Sequence, residues 1–262
     1  MSPVTVMAGT SPIVLAQPHS GTFVPDAVAA QLTERGRMLA DTDWHIPQLY
    51  DGLAPDATVV RAEFNRYVID ANRPPDGESL YPGQNATGLV PLVDFEDEPI
   101  WRDAPDGQEI ARRLAGFHAP YHTALRTELE RVRALHGFAV LYDCHSIRSH
   151  LPFLFDGTLP DLNIGTNGGA SCHPAIERAV ADASANGPYS HVLNGRFRGG
   201  WTTRLYGQPA ETIHAIQMEI AQSTYLAAEE PPFAYSPDKA VRLRDTLARV
   251  FAAIETTFGE LS

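Results

Sequence analysis

The sequence lacks the features that mark secreted and membrane-spanning proteins. It has only two cysteines, Cys144 and Cys172, among 262 residues, which are too few for a disulfide framework and are typical of a reducing cytosol. No apolar stretch approaches the ~18 residues that suggest a membrane span. The first residues, MSPVTVMAGTSP, lack the basic and long apolar regions of a signal peptide. These absences predict a soluble, cytoplasmic protein.

Positive charge is also scarce. Lysine and arginine total 20 against 32 aspartates and glutamates, so the formal net charge is -12. Because nucleic acids and anionic membranes are polyanions, a surface of this charge disfavours both as partners. An anionic substrate would therefore have to be met by a local cluster of arginines.

The densest group of reactive side chains follows an apolar run, residues 138–141, that is typical of a short buried strand. Ligands of open α/β sheets bind at the carboxyl ends of such strands, so reactive groups there indicate a site. A capped turn with a solvated arginine is the alternative from this stretch alone. The reactive residues, which fall within six positions, are Asp143, Cys144, His145, Ser146 and Arg148.

A second histidine also follows a predicted strand. Residues 13–16 are apolar and β-branched at their start, and the loop after them contains His19. Further on, Asp41 and Asp43 lie close together, next to apolar residues spaced for a buried helical face. Asp41 could equally be a plain helix N-cap. The length of the chain suits one large α/β domain or two small ones.

Arginines accompany two more predicted strands, residues 58–61 and 67–71. Arg66 lies between the two strands, and Asn72, Arg73 and a proline pair follow the second. The prolines stop the strand and hold the preceding residues extended. Arg66 and Arg73 are therefore candidates for binding an anion, with a surface position as the alternative.

Residues 76–106 are rich in proline, glycine and acidic residues, with scattered aromatic side chains and leucines. This composition predicts a long excursion with little regular structure. Loops of that length are usually functional lids or disordered segments. The retained aromatic residues favour a packed loop.

A long amphipathic helix is predicted from about residue 110 to Gly137, with a kink or a break at Pro120. His118 and His122 stand four residues apart, which is a zinc-binding spacing. The glutamate of an H-E-x-x-H motif is missing, because the sequence reads HAPYH. Packing or support of a neighbouring site is the favoured role for His122.

The second half of the chain contains a local basic cluster. Arg196, Arg198 and Arg204 surround a glycine pair, and such a cluster on an acidic protein suits a small dianion. A strand is predicted over residues 151–155, and turn formation is predicted for the glycine-rich residues 161–172. That run is no P-loop, because the required lysine is absent.

Glu219 is the carboxylate that is hardest to explain as a surface charge. Residues 214–221, HAIQMEIA, alternate as in a strand, with Gln217 and Glu219 on one face. An inward glutamate is costly unless it is paired. An amphipathic helix over residues 237–258 is predicted to cover the sheet.

Two strand-end histidines, an early aspartate and an inward glutamate are the components of a mononuclear metallohydrolase. Zn²⁺ accepts imidazole and carboxylate ligands and keeps a position open for water, and a glutamate can act as general base. Without a metal, the same residues would form only a hydrogen-bonded site. Ser146 is a poor nucleophile candidate because no G-x-S-x-G elbow is present. Cys144 is expected to be a buried, inert thiol.

Seven segments, in order along nearly the whole chain, resemble the N-formylglutamate amidohydrolase (N-formylglutamate deformylase) family of histidine degradation. They are PHSG (residues 18–21), ADTDWHIPQLYD (40–51), FNRYVIDANRP (64–74), DCHSIRS (143–149), LPDLNIGTN (159–167), RFRGGWTTRLYG (196–207) and HAIQMEIAQSTY (214–225). The resemblance implies hydrolysis of N-formyl-L-glutamate to formate and L-glutamate. It also implies an α/β fold in a single domain, residues 1–262, with a mixed, twisted sheet flanked by helices. That fold is similar to the zinc carboxypeptidases and other phosphorylase/hydrolase-like proteins.

The resemblance also implies residue roles. His19 and His145 match two metal ligands, and Glu219 matches the general base. Position 22 is threonine, so the H-x-x-E ligand motif of the carboxypeptidases fails and another ligand is needed. We expect Asp43 rather than Asp41, because Asp43 begins the tryptophan-containing amphipathic run. The expected cofactor is one divalent metal ion, Zn²⁺.

A substrate with two carboxylates would need several arginines around the site. Asn72 with Arg73 resembles the pair that grips a carboxylate in the carboxypeptidases, and Arg66 or Arg148 is expected to stabilise the oxyanion. Two alternatives stay open: a hydrolase of the same fold acting on another N-acyl amino acid or a C-terminal residue, and a non-catalytic dicarboxylate-binding protein. The candidates for binding the carboxylates or the oxyanion are Arg73, Arg148, Arg196 and Arg204.

Overall fold

The computed structural model describes residues 2–80 and 83–261, and in these residues a seven-stranded sheet forms the centre of the fold. Along the sheet the strands are ordered β1-β3-β2-β4-β7-β5-β6 when numbered in chain order. Four neighbouring pairs are parallel, and β1 and β5 pair antiparallel with β3 and β7. The strands are β1 (Val4–Met7), β2 (Ile13–Gln17), β3 (Thr58–Ala62), β4 (Ala139–Ile147), β5 (Leu162–Gly165), β6 (His191–Leu193) and β7 (Ile213–Ala221).

Helices flank this mixed sheet, which confirms the predicted fold class. Contacts with the strands come mainly from α5 and α7 on one side, while α3, α6 and α8 pack together on the other. The helices are α1 (Asp26–Ala29), α2 (Glu34–Arg37), α3 (Ile46–Tyr50), α4 (Gly107–Arg113), α5 (Ala119–His136), α6 (Pro174–Ala185), α7 (Trp201–Tyr206) and α8 (Pro237–Thr256). Short 3₁₀ turns cover Pro209–Glu211, Gln222–Thr224 and Phe258–Glu260.

The period-two alternation of the central strands divides the core in two. In β4, Tyr142 and Cys144 belong to the apolar cluster shared with α8, whereas Leu141 belongs to the cluster shared with α5. Asp143 and His145 alternate with Tyr142 and Cys144, so they lie on the α5 side. The polar side chains of the strand ends are thereby gathered on one face of the sheet.

The predicted long helix is interrupted where proline requires it. A π-helical turn, Leu114–His118, joins α4 to α5 and ends two residues before Pro120. Proline has no N–H to continue the α-helical hydrogen bonds, and the wider turn accommodates this. Gly137 ends α5 in the left-handed region with φ 84°, as its position predicted.

Two strand predictions are wrong. Residues 67–71 form turns, because Asn65 accepts hydrogen bonds from their backbone. The Tyr67 N–H donates to the Asn65 side chain, and the Val68 N–H donates to the Asn65 carbonyl oxygen. Residues 151–155 also form a turn, in which Leu154 and Phe155 donate to the Leu151 carbonyl.

The glycine-rich run contains a strand that the sequence did not reveal. Residues 162–165 form β5, which is fixed by its antiparallel pairing with β7. A four-residue strand between turn-forming residues is too short for its alternation to be recognised. The structure here depends on a partner far away in the sequence.

The excursion predicted over residues 76–106 is a packed loop. Its described part, which omits residues 81 and 82, contains only isolated bridges such as Val93 to Pro99 and Leu32 to Trp101. Ile100 and Phe95 are buried. No helix in the described ranges combines the length and apolar character that a membrane crossing requires.

Candidate active site

Three buried side chains converge at the carboxyl ends of the central parallel strands. His19 lies just beyond β2, His145 is in β4, and Asp43 precedes α3. One potential ligand atom from each residue lies within 4.8 Å of the others. The Asp43 Oδ2 atom is 3.2 Å from His145 Nδ1 and 3.8 Å from His19 Nδ1. The fold therefore brings together the three residues that the sequence indicated as metal ligands.

The other ring nitrogen of each histidine faces a second carboxylate. His19 Nε2 lies 2.7 Å from Asp70 Oδ1, and His145 Nε2 lies 3.1 Å from Asp143 Oδ1. Metal-ligating histidines are commonly oriented by such a carboxylate on the opposite nitrogen. The donor set of two imidazoles and one carboxylate suits Zn²⁺. These residues fit the expected metal ion.

Electrostatics at this group also fit a cation. Burial lowers the pKa of the His19 imidazole, and Arg66 lowers it further, despite the opposing charges of Asp70 and Asp43. Burial also acts to lower the pKa of His145, but the neighbouring carboxylates, Asp143 foremost, raise it well above its ordinary value. A bound cation would compensate this concentration of negative charge.

Glu219 faces the same group from the neighbouring strand. In the parallel pairing of β4 with β7, Glu219 lies directly opposite His145. Its carboxylate is buried, and burial raises its pKa above the ordinary value. Gln217 Nε2 donates to Glu219 Oε2 at 3.4 Å, so the inward pair predicted from the alternation is confirmed. A buried carboxylate beside a metal-binding group can accept a proton from water.

A cavity opens onto these residues. Three arginines predicted as site residues, Arg66, Arg73 and Arg196, line it, and so do Asn72 and Glu219. Charged and amide side chains thus surround one small space. The remaining lining residues are His19, Asn85, Ala86, Thr87, Phe95, His145, Ser146, Ile147, Leu154, Phe197, Gly200 and Gln217.

The cavity arginines are held in two different ways. Arg66 is buried, with Nη2 2.7 Å from Asp70 Oδ2 and Nη1 4.0 Å from Asp43 Oδ1. Arg73 donates from Nε to the Thr87 carbonyl oxygen at 2.8 Å. Arg196 donates to the carbonyl oxygens of Leu154 and Asn85 at 2.9 Å and 2.8 Å. Arg73 Nη1 also lies 3.9 Å from Asp70 Oδ2, the oxygen that pairs with Arg66. Arg66 and Arg73 therefore both approach Asp70, whereas Arg196 is tied to surrounding loops.

The structure does not place Arg148 or Arg204 on the cavity lining. Arg148 donates to Asp41 at 3.1 Å and to Glu96 at 2.8 Å, so its position is set by two carboxylates outside the cavity. Arg204 donates from Nε to the Gly199 carbonyl oxygen at 2.9 Å. Neither arginine lines this cavity, so a direct contact of Arg148 or Arg204 with the substrate stays a prediction.

Asp41 is likewise separate from the histidine group. Its Oδ2 accepts hydrogen bonds from the Tyr67 hydroxyl at 2.8 Å and the Phe95 N–H at 2.9 Å. Its Oδ1 accepts from Arg148. The geometry thus groups Asp43, and not Asp41, with the two histidines.

Asn72 connects His145 to the start of α7. Its Nδ2 lies 3.1 Å from His145 Nε2, and its Oδ1 accepts the Thr202 N–H at 2.8 Å. Gly200 is required beside it, because a Cβ at position 200 would lie 2.3 Å from Asn72 Nδ2. Gln217 accepts the Gly200 N–H at 2.7 Å. Asn72 therefore positions neighbouring groups as well as lining the cavity.

The H-x-x-x-H pair lies behind this site. His122 contacts the Ala71 carbonyl oxygen at 2.8 Å and the Tyr206 hydroxyl at 3.0 Å. His118 contacts the Arg73 carbonyl oxygen at 3.0 Å. Burial lowers the pKa of His122 to about 3, which keeps its imidazole neutral. The pair packs against the backbone of the segment that carries Asn72 and Arg73.

The two nucleophile candidates, Cys144 and Ser146, make contacts that do not activate them. Cys144 lies in the apolar cluster shared with α8, and burial raises the pKa of its thiol well above the ordinary value. Ser146 Oγ accepts hydrogen bonds from the Tyr225 hydroxyl at 2.7 Å and from Gln222 at 3.3 Å. Neither contact couples these residues to a general base.

Sequence reasoning missed Asp70 and Phe95. Asp70 is fully buried and contacts His19, Arg66 and the Asn72 N–H. An aspartate after the apolar residues YVI and before Asn-Arg was the available signal. Phe95 lines the cavity from the long loop, and no periodicity indicated its position.

The fold and the polar site at the strand ends define an α/β enzyme of the hydrolase class. Comparison with known proteins makes this specific: the chain belongs to the N-formylglutamate amidohydrolase family, whose model matches residues 11–226. The resemblance stated from the sequence motifs is therefore confirmed.

Individual relatives agree over nearly the full length. The chain is 50% identical to an N-formylglutamate deformylase of Pseudomonas putida over 251 residues, covering 94% of this chain and 93% of the relative. It is 48% identical to one of Pseudomonas aeruginosa, with the same coverage. A crystal structure of an N-formylglutamate amidohydrolase from Ralstonia eutropha JMP134 superposes with a TM-score of 0.83 at 26% identity, covering 98% of both chains.

Proposed function

We propose that this enzyme hydrolyses N-formyl-L-glutamate to formate and L-glutamate, as a step of histidine degradation in the cytoplasm. The observation that carries the proposal is the cavity itself, which is lined by three arginines, two histidines and a buried glutamate. A dicarboxylate needs more than one cationic partner, and a small formyl group needs little space beside the reacting centre. The names of the full-length relatives support the same substrate.

His19, Asp43 and His145 would hold one divalent metal ion, Zn²⁺. When bound, such an ion polarises the amide carbonyl and increases the acidity of water at the site. Asp70 and Asp143 would orient the two imidazoles through their outer nitrogens. All five side chains are buried.

Glu219 is the general base of the proposed reaction. Its carboxylate accepts a proton as the water oxygen bonds to the formyl carbon, and it delivers that proton to the amide nitrogen as the carbon–nitrogen bond breaks. Arg66, which is fixed by Asp70 beside the histidines, donates to the formyl oxygen as negative charge develops there. The products are formate and the free amine.

Arg73 and Arg196 hold the two carboxylates of the substrate. Both line the cavity, and both are fixed through carbonyl oxygens in the loops around it. An arginine binds a carboxylate through its charge and through hydrogen bonds. Two arginines in the cavity therefore favour a substrate with two carboxylates. Asn72 lines the same cavity and adds an amide group to it.

A substrate series tests the proposal. We expect N-formyl-L-glutamate to be hydrolysed with a kcat/KM at least about 10²-fold higher than N-formyl-L-norvaline, which lacks the distal carboxylate and its charged hydrogen bonds to the site. Arg196→Gln, which removes the cation but keeps an amide, is expected to narrow this difference. Formate release would be measured for both substrates. Equal rates would contradict a dicarboxylate substrate.

A further inference from the structure

Phe95 forms an aromatic wall of the cavity next to the metal-binding residues. It is buried, and its ring lies against Arg66, with the guanidinium carbon 4.7 Å from the ring centroid. Arg66 in turn approaches Asp43 and pairs with Asp70. Phe95 is therefore separated from the His-Asp-His group by a single side chain.

A similar contact between an arginine and an aromatic ring occurs where the substrate carboxylates would bind. Arg73 and Arg196 are tied to Thr87 and Asn85. A second aromatic ring, Phe197, lies against Arg196 with the guanidinium carbon 5.5 Å from its centroid. The cavity thus has one aromatic-arginine pair at the reacting group and a matched pair where a carboxylate would bind.

Contacts outside the cavity hold the backbone of Phe95. Its N–H donates to Asp41 Oδ2 at 2.9 Å, and the Tyr67 hydroxyl donates to the same oxygen. Arg148 donates hydrogen bonds both to Asp41 Oδ1 and to the side chain of Glu96, the residue after Phe95. Asp41 and Arg148 do not line the cavity, so the proposed reaction gives them no direct role.

The far side of the same loop is held as well. Arg35 forms ion pairs with Asp94 and Glu96, the two residues that flank Phe95. The Asp94 carboxylate also accepts the N–H groups of Glu96 and Glu98 at 2.9 Å and 3.2 Å. The backbone N–H of Phe95 and the side chains of both flanking residues are therefore held by contacts with other segments.

We propose that Phe95 limits the size of the acyl group that the enzyme removes, and that Asp41 and Arg148 position it for this. The inference rests on the proposed function. The reacting carbon must lie near Glu219 and the His-Asp-His group, and its oxygen faces Arg66 in the proposed reaction. Phe95 lies against Arg66 and lines the same cavity, so we place the remaining substituent of that carbon beside the Phe95 ring. A formyl group presents hydrogen there, whereas an acetyl group presents a methyl group that would contact the ring.

Both reactions have the same balance. Water adds its oxygen to the acyl carbon, the carbon–nitrogen bond breaks, and the nitrogen takes the proton. The products are L-glutamate with formate from the formyl substrate, or with acetate from N-acetyl-L-glutamate. A difference in rate between the two substrates therefore reports the space around the acyl carbon.

The test compares kcat/KM for N-acetyl-L-glutamate with kcat/KM for N-formyl-L-glutamate. Phe95→Ala is expected to raise the acetyl-to-formyl ratio by about 10- to 200-fold, the range for one methyl-sized difference in an apolar pocket. Phe95→Leu keeps an apolar side chain and should give a smaller rise. The matched control, Phe197→Ala, should weaken binding of both substrates and leave the ratio unchanged.

Arg148 supplies the test of the positioning role. Arg148→Ala is expected to shift the ratio in the same direction as Phe95→Leu, because the loop loses its link to Asp41. Arg148→Lys can still pair with one carboxylate and should restore part of the discrimination. Simple loss of stability would lower both rates together, so the ratio separates positioning from folding.

Different results would overturn the proposed function and the acyl-size role of Phe95. Wild-type protein that releases no formate would overturn the proposed function, and the acyl-size role with it. Active Phe95→Ala and Phe95→Leu proteins with an unchanged ratio would overturn the acyl-size role alone, as would an equal rise in Phe197→Ala. If Phe95→Ala does not fold, Phe95→Leu decides. A ratio that moves in the Phe95 variants and not in Arg148→Ala would overturn the positioning role.

Discussion

Replacing Glu219 with glutamine is expected to lower kcat for formate release by about 10²- to 10⁴-fold, the contribution typical of a positioned general base. The amide matches the carboxylate in shape but cannot take a proton from water. Gln217 can still contact the new side chain, so the local packing should be retained. Stopped-time assays of formate, with KM determined separately, would measure the change.

The same variant should keep its metal and its affinity for the substrate, because Glu219 is not one of the three expected ligands. Glu177→Gln is the matched control: its carboxylate accepts a hydrogen bond from the buried Thr166 hydroxyl, but it does not line the cavity. We expect this control to retain wild-type turnover. Substantial activity in Glu219→Gln would remove the general-base role.

Replacing His145 with alanine is expected to abolish stoichiometric metal binding. His145 provides one of only three candidate ligands that converge among the described residues, and loss of one leaves too few donors for a tight zinc site. Elemental analysis of the purified variant, after dialysis against metal-free buffer, would measure the loss. Formate release should fall to the background rate.

A second buried strand histidine offers the control for this change. His214 is in β7 and is 3% exposed, but it lies outside the cavity. His214→Ala removes the same imidazole from a comparable environment, so it should bind one metal ion per chain. Unchanged metal content in His145→Ala would show that this histidine is not a ligand.

The parts of the site that the sequence predicts lie on elements with clear local signals. His145 and Glu219 follow from strands whose apolar residues alternate or run without interruption, and the parallel pairing of β4 with β7 sets them opposite each other. His19 follows from a short apolar strand in the same way. Strand ends in an α/β sheet meet at one edge, which is why these residues converge.

Other parts depend on contacts that no local pattern encodes. The turn over residues 67–71 resembles a strand in composition, yet it exists because Asn65 and Leu89 satisfy its backbone groups. Asp70 consequently points at His19 and Arg66 instead of alternating within a sheet. Sequence periodicity carries no information about such a turn.

Arginine placement shows the same limit. Arg148 follows His145 closely in sequence, which predicted a substrate contact. Its guanidinium donates to Asp41 and Glu96, and it does not line the cavity. Arg196 and Arg73 reach the cavity because loop carbonyls hold them there. A cluster of arginines in a sequence indicates an anion site. Which of these arginines reaches the site depends on contacts with residues that are distant in sequence.

The most direct test of the account is a titration of metal-depleted protein with Zn²⁺, followed by formate release from N-formyl-L-glutamate. Removal of metal with a chelator should abolish the activity, and added Zn²⁺ should restore it with saturation at one ion per chain, because His19, Asp43 and His145 form one site. Full activity of protein that elemental analysis shows to be metal-free would contradict the account.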